Sequence, residues 1–117
     1  MNAGHRAMFA NGRMKTGQMN KLEGMYSAHL NERLMAGEIL WFKFEGLKLR
    51  LADLTFLTVD FFVMDKSGQL SAHEVKGFMQ DDAHVKLKVA AELYPFPFYL
   101  VKAKAKKDGG GFTITDI

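Results

Sequence analysis

The stretch LTFLTVDFFVMDKSGQLSAHEVKG, residues 54–77, decides the fold. Its first half, residues 54–65, is β-branched and aromatic on both faces, the composition of a central strand covered on both sides. Asp65-Lys66-Ser67-Gly68 has the residue types of a hairpin turn, and QLSAHEVKG, residues 69–77, follows as the partner strand. Asp60 breaks the pattern, lying between Val59 and Phe61 in the most apolar strand of the chain. A carboxylate there must be paired or hold a cation, because burying an unpaired charge is very costly. Across the turn, strand alternation sets Glu74 and Lys76 on one face and His73 and Val75 on the other. With Glu74 facing the same way as Asp60, two carboxylates and one ammonium converge at one end of the hairpin. Two hard oxygen donors with open positions suit Mg²⁺ or Mn²⁺ and fit zinc poorly. A plain Asp–Lys ion pair inside a small core is the competing reading.

Toward the N-terminus, EILWFKFEGLKLRL, residues 38–51, alternates well enough for a strand pair or one bent strand with Gly46 at the bend. Ahead of it, Leu22, Met25, Tyr26, His29, Leu30 and Leu34 recur at helical steps, which predicts a helix from Gln18 to Ala36 stopped by Gly37. Residues 1–17 mix Gly, Asn, Met and basic residues without periodicity and read as a flexible basic arm ahead of one domain over 18–117. Toward the C-terminus a second helix is expected at Asp81–Leu93, with Asp81 and Asp82 set against its N-terminal dipole and Pro95 ending it. FPFYLVKAKA, residues 96–105, reads as a strand, and Gly109-Gly110-Gly111 leads to a short strand or tail. Tyr94, Phe96, Phe98 and Tyr99 are expected in the core. The order α-β-β-β-α-β describes an α/β domain, a central mixed sheet flanked by helices.

Composition narrows the class. A chain of 117 residues holds one core, and 48% hydrophobic with 25% charged residues is an ordinary globular balance. The absence of cysteine excludes disulfides, thiol catalysis and cysteine-ligated metals. No apolar run approaches the roughly 20 residues of a membrane span, and the N-terminus has no secretory apolar region, so a soluble cytoplasmic protein with no membrane partner is expected. The net charge of +3 is unevenly spread. Residues 1–22 carry Arg6, Arg13, Lys15 and Lys21 with no acid, and residues 102–107 carry Lys102, Lys104, Lys106 and Lys107 with none. A negative middle between basic ends suits a polyanion gripped by the ends while acidic chemistry proceeds at the centre. Basic termini that merely aid solubility fit the charge pattern equally well.

V-D-F around Asp60, followed after the turn by H-E-V-K-G over residues 73–77, resembles the signature of the PD-(D/E)xK nuclease superfamily, with Val59 standing where the usual proline lies. N-K-L-E-G-M-Y, L-M-A-G-E-I, V-D-F-F-V-M-D-K-S-G, H-E-V-K-G and H-V-K-L-K-V-A-A-E-L-Y-P, in that order, look like a group of small phage endonuclease-like proteins over roughly residues 18 to 101. The resemblance implies a restriction-endonuclease-like core and Mg²⁺- or Mn²⁺-assisted hydrolysis of DNA phosphodiesters, leaving a 5′-phosphate and a 3′-hydroxyl. It assigns Asp60 and Glu74 to the metal, Lys76 to the attacking water, and Glu23 to a further metal or water ligand, with Glu32 as its competitor. Lys86 and Lys88 match basic positions of the group, although i and i+2 diverge on a helix and do not serve one phosphate together. Lys102, Lys104 and Lys106 would share one strand face and track a nucleic-acid backbone, together with Arg13 and Lys15 of the arm. Lysines guarding an edge strand against aggregation are the alternative there. The size suits a structure-selective enzyme acting on branched DNA, a Holliday-junction resolvase-like homodimer. The alternatives are a monomeric nicking or mismatch-type nuclease, and a non-catalytic nucleic-acid-binding accessory protein with a degenerate nuclease core.

Overall fold

The structure, a computed structural model, describes residues 17–77 and 81–117. The basic arm with Arg13 and Lys15, and the side chains of Asp81 and Asp82, lie outside the described residues. Helix α1 (Lys21–Met35) starts later than the periodicity alone suggests, because Asn20 caps it. The Asn20 side chain accepts from the Glu23 N–H at 2.8 Å, and the Glu23 carboxylate accepts from the Asn20 N–H at 2.9 Å, a reciprocal capping box. At the other end Gly37, with φ +78°, turns the chain out of the helix, and the Glu38 N–H closes on the Arg33 carbonyl at 2.9 Å.

The chain then builds strands β1 (Ile39–Phe44), β2 (Lys48–Ala52), β3 (Thr55–Thr58), β4 (Phe61–Asp65) and β5 (Leu70–Val75), helix α2 (Asp81–Leu93), and strands β6 (Phe98–Ala103) and β7 (Phe112–Asp116). Five of the strands form one mixed sheet in the order β1-β4-β5-β6-β7. All its pairs are antiparallel except β5–β6, which run parallel across the α2 crossover. β2 and β3 pair only with each other, as a separate two-stranded ribbon. The fold is α/β, a mixed sheet flanked by two helices. Among the described residues no helix is long and apolar enough to cross a membrane.

Alternation along β4 feeds two cores. Phe61 and Val63 pack against Tyr26 and Leu30 of α1, while Phe62 packs with Leu87 and Ala90 of α2 and with Leu49 of the ribbon. The β4–β5 turn is the one the sequence predicts. The Asp65 carboxylate accepts from the Ser67 N–H at 2.9 Å and the Gln69 N–H at 3.0 Å, and Gly68 adopts φ +90°. The Ser67 hydroxyl, which donates to the same carboxylate, and then these backbone bonds hold the Asp65 carboxyl below its usual range.

Three expectations are corrected. Residues 54–65 are two strands, β3 and β4, interrupted at Val59-Asp60 and belonging to different sheets. An unbroken strand over that run would extend about 40 Å, close to the 42 Å longest dimension of the molecule. Residues 38–51 form neither a pair nor one bent strand, since β1 joins the main sheet and β2 the ribbon. The chain leaves the sheet at Glu45, whose φ is +50°, and at Gly46, where a Cβ would come within 3.2 Å of the Lys43 side chain. Strand β6 is shorter at both ends than 96–105. Lys102 lies in it, Lys104 follows it with its N–H on the Gly111 carbonyl at 2.9 Å, and Lys106 opens a 3-10 turn over Lys106–Asp108. The three lysines are exposed but share no strand face. Phe98 is buried as expected, with Tyr94 and Phe96 packed against the same core; Tyr99 is only partly buried.

Candidate active site

The register of β4 on β5 ends at Phe61 opposite His73. The next residues, Asp60 and Glu74, therefore meet at the open end of the hairpin. Each carboxylate is held by the other residue's end of the chain. The Val75 N–H donates to Asp60 Oδ2 at 2.8 Å, and the Asp60 N–H donates to Glu74 Oε1 at 3.0 Å. This reciprocal pair explains why the long apolar run breaks at Asp60, whose peptide N–H bonds a side chain instead of a neighbouring strand. The Asp60 carbonyl in turn receives the Glu45 N–H at 2.8 Å, which fastens the β1–β2 connection to the same point.

Lys76 follows from β5, its N–H fixed to the Val101 carbonyl at 2.9 Å. Its ammonium lies 3.7 Å from Glu74 Oε2, with the Lys76 side chain 33% exposed and that of Glu74 only 7%. The cluster thus opens to solvent on the lysine side. Glu23 stands in the first turn of α1, near enough for the charges of Asp60 and Lys76 to act on it. Glu32 points elsewhere, lining a separate hollow of about 620 Å³ with His29, Arg33 and Glu38. Of the two helical glutamates, Glu23 is the one brought to the cluster.

Burial and mutual repulsion set the protonation of the group. Burial first, and the Glu74 charge second, push Asp60 up to about 7, against the opposing pull of the Val75 N–H and Lys76. Burial raises Glu74 as well, opposed by Lys76 and the Asp60 N–H. Glu23 is raised by burial and by Asp60, with the Asn20 N–H acting the other way. Three carboxyls within electrostatic reach of one ammonium favour added positive charge, from protons or from a metal ion. One oxygen of Asp60 and one of Glu74 are already occupied by backbone N–H groups, and the second oxygen of Glu74 faces the Lys76 ammonium. Among the described residues no group of three or more His, Asp or Glu side chains is arranged to hold a metal ion. Two carboxylates still fit an ion that keeps most of its water, as Mg²⁺ does.

The other sequence candidates lie apart from the cluster. His73 is packed rather than open, 4% exposed, with Nδ1 at 2.6 Å from the Tyr26 hydroxyl and Nε2 at 2.9 Å from the Ser71 hydroxyl. Burial, and then Arg33, depress it to about 4, and burial pushes Tyr26 up to about 12. The ammonium of Lys86 reaches the Phe56 carbonyl of the ribbon at 3.5 Å, and Lys88 is exposed. The exchange of backbone bonds between Asp60 and Glu74 was not legible in the sequence. The capping box was, in the Asn20-x-x-Glu23 spacing.

No protein-family model, curated protein or solved structure matches the chain.

Proposed function

We propose that the chain is a Mg²⁺-dependent DNA endonuclease, structure-selective in the manner of a Holliday-junction resolvase. The observation that carries this reading is the meeting of Asp60, Glu74 and Lys76 at the ends of two paired strands, with Glu23 reaching in from α1. The five-stranded mixed sheet flanked by two helices adds support, being compatible with a restriction-endonuclease-like core. The second oxygens of Asp60 and Glu74 would hold the ion, that of Glu74 by exchanging its contact with Lys76. When bound, the ion supplies Lewis-acid polarisation of the scissile phosphate and a more acidic bound water. The chain's own groups do the remaining work. Lys76 is the half-exposed cation of the cluster and offsets charge building on the phosphate, while orienting the attacking water. The backbone N–H groups of Asp60 and Val75 fix the carboxylates so that they need not reorganise as charge develops.

Two symmetric cuts need two active sites, so a homodimer goes with this reading, as does a cytoplasmic location. The saturation of half the carboxylate oxygens by N–H donors favours one rival, an accessory protein that binds nucleic acid on a degenerate nuclease core. A labelled four-way junction, a linear duplex and a single strand, incubated with and without Mg²⁺ or Mn²⁺, decide between them. Metal-dependent cutting of the junction supports the endonuclease, and binding without cutting in either metal replaces it with the accessory reading.

A further inference from the structure

The β2–β3 ribbon has two unlike faces. Leu49, Leu51 and Leu57 pack inward with Leu87 and Ala90 of α2. Lys48, Arg50, Phe56 and Thr58 alternate onto the other face, and all four are exposed. There the Lys48 ammonium lies over the Phe56 ring, 4.6 Å from its centroid. The ribbon is pinned from both strands to α2 and to the residue that follows it. The Tyr94 hydroxyl donates to the Arg50 carbonyl at 2.7 Å, and Lys86 reaches the Phe56 carbonyl.

Its tip is unusual. Leu54 is 87% exposed and adopts φ +52°, a left-handed conformation that favours glycine or asparagine. A large apolar side chain that is strained and almost fully exposed points to contact with a partner. The ribbon also leads straight into the candidate site, because Thr58, the partner of Lys48, is followed by Val59 and Asp60. From Leu54 to Asp60 the chain spans at most about 20 Å, at roughly 3.3 Å per residue. That is within reach of the nucleotides flanking a phosphate held at Asp60.

We propose that the outer face of the ribbon, Lys48, Arg50 and Phe56 with Leu54 at its tip, grips DNA and holds an unpaired or branch-point strand beside the Asp60 cluster. The inference rests on the endonuclease reading for its substrate class. Charge complementarity selects the partner. Two cations meet phosphates, an aromatic face accepts an unstacked base, and an apolar tip suits the gap between separated bases. Asp53, with its carboxylate 4.0 Å from Arg50, is the only acid in residues 48–58 and sits at the tip, away from the Lys48 end.

The test is fluorescence anisotropy of a labelled four-way junction, single strand and duplex in EDTA, so that binding is read without cutting. Lys48→Ala/Arg50→Ala should weaken junction binding about tenfold or more and flatten the salt dependence by about two phosphate contacts. Phe56→Ala should weaken single-strand and junction binding by about five- to a hundredfold, with little change on duplex. Leu54→Gly relieves the strained turn, so it should fold at least as well as the parent and still bind the junction less tightly. If all three variants are folded by circular dichroism yet bind within twofold of the parent, the proposal is overturned. It is likewise overturned if the parent binds no DNA, or if the variants change only the sedimentation of the protein. Ribbon-dependent binding by a parent that never cuts in Mg²⁺ sinks the endonuclease reading and leaves the ribbon standing. Cutting whose KM ignores all three variants does the reverse.

Discussion

Replacing Asp60 with asparagine tests the buried acidic cluster through stability alone, with no assumption about activity. Asp60 is 7% exposed and its carboxyl is pushed from 3.8 up to about 7 by burial and by Glu74. Between those values the folded protein holds a proton that the unfolded chain has released, so stability falls as pH rises from about 4 to about 7. The accumulated cost above pH 7 is about 4 kcal/mol at roughly 1.4 kcal/mol per pH unit. Asparagine keeps the shape, and its carbonyl oxygen can still accept from the Val75 N–H. Some of the relief is lost, because that bond no longer has a charged acceptor, at about 1 kcal/mol. Asp60→Asn should therefore be more stable than the parent by about 2–3 kcal/mol at pH 8, and the advantage should vanish near pH 4. Urea unfolding across that range, with unchanged m-values, measures it. His73 sharpens the signature. Its folded value of about 4 lies below the ordinary 6.5, so its contribution is present above pH 6.5 and is lost as pH falls toward 4. In the parent Asp60 opposes His73; Asp60→Asn removes that part and leaves only Glu74 and Glu23, whose carboxyls burial also raises, against His73, so stability should fall less with rising pH than in the parent. A variant no more stable than the parent at pH 8, or a difference that ignores pH, would refute the account of Asp60 as a buried, strained carboxylate.

Millimolar Mg²⁺ at pH 8 should raise the parent's thermal midpoint, by about 1.4 kcal/mol of stability at tenfold over Kd, and leave Asp60→Asn unmoved; equal shifts in both would place the ion elsewhere. Glu23→Gln keeps an oxygen for the Asn20 N–H and so should cost well under 1 kcal/mol of stability, yet it should cut junction cleavage by about a hundredfold, while Glu32→Gln changes neither; a calorimeter and a single-turnover cleavage assay read the two effects separately. Lys76→Ala should abolish cleavage and leave EDTA binding of the junction within a few-fold, and cleavage at parental rates would remove Lys76 from the site. Tyr26→Phe leaves His73 Nδ1 without its partner at 2.6 Å in a buried setting, so it should destabilise by about 1–3 kcal/mol, measured by chemical denaturation.

What could be read from the residues in order and what could not divides along the range of the forces involved. The β4–β5 hairpin was legible because Asp65 and Gly68 make its turn locally, and a fixed turn with a two-residue period also fixes which side chains align. That is why Glu74 and Lys76 could be placed together and His73 assigned to packing. Helix α1 was legible in its apolar steps, and its true start was available in Asn20-x-x-Glu23. Residues 54–65, by contrast, read as one strand because both faces are apolar, and periodicity carries no information about which layer does the covering. The break at Asp60 comes from bonds to Glu74 and Val75, fourteen and fifteen residues away, together with the Glu45 N–H. The fate of residues 48–58 was hidden for the same reason, since leucines that cover α2 look like leucines that fill a sheet.

The sequence by itself determined the α/β class, the two helices and the central hairpin, all consequences of short-range turn chemistry and side-chain period. Only the tertiary structure decided that the long apolar run divides between two sheets, that Lys102, Lys104 and Lys106 part company, and that Glu23 rather than Glu32 faces the cluster. Those outcomes depend on which distant surfaces become available for burial and on where an exposed peptide N–H finds its acceptor, and neither is encoded in neighbouring residues.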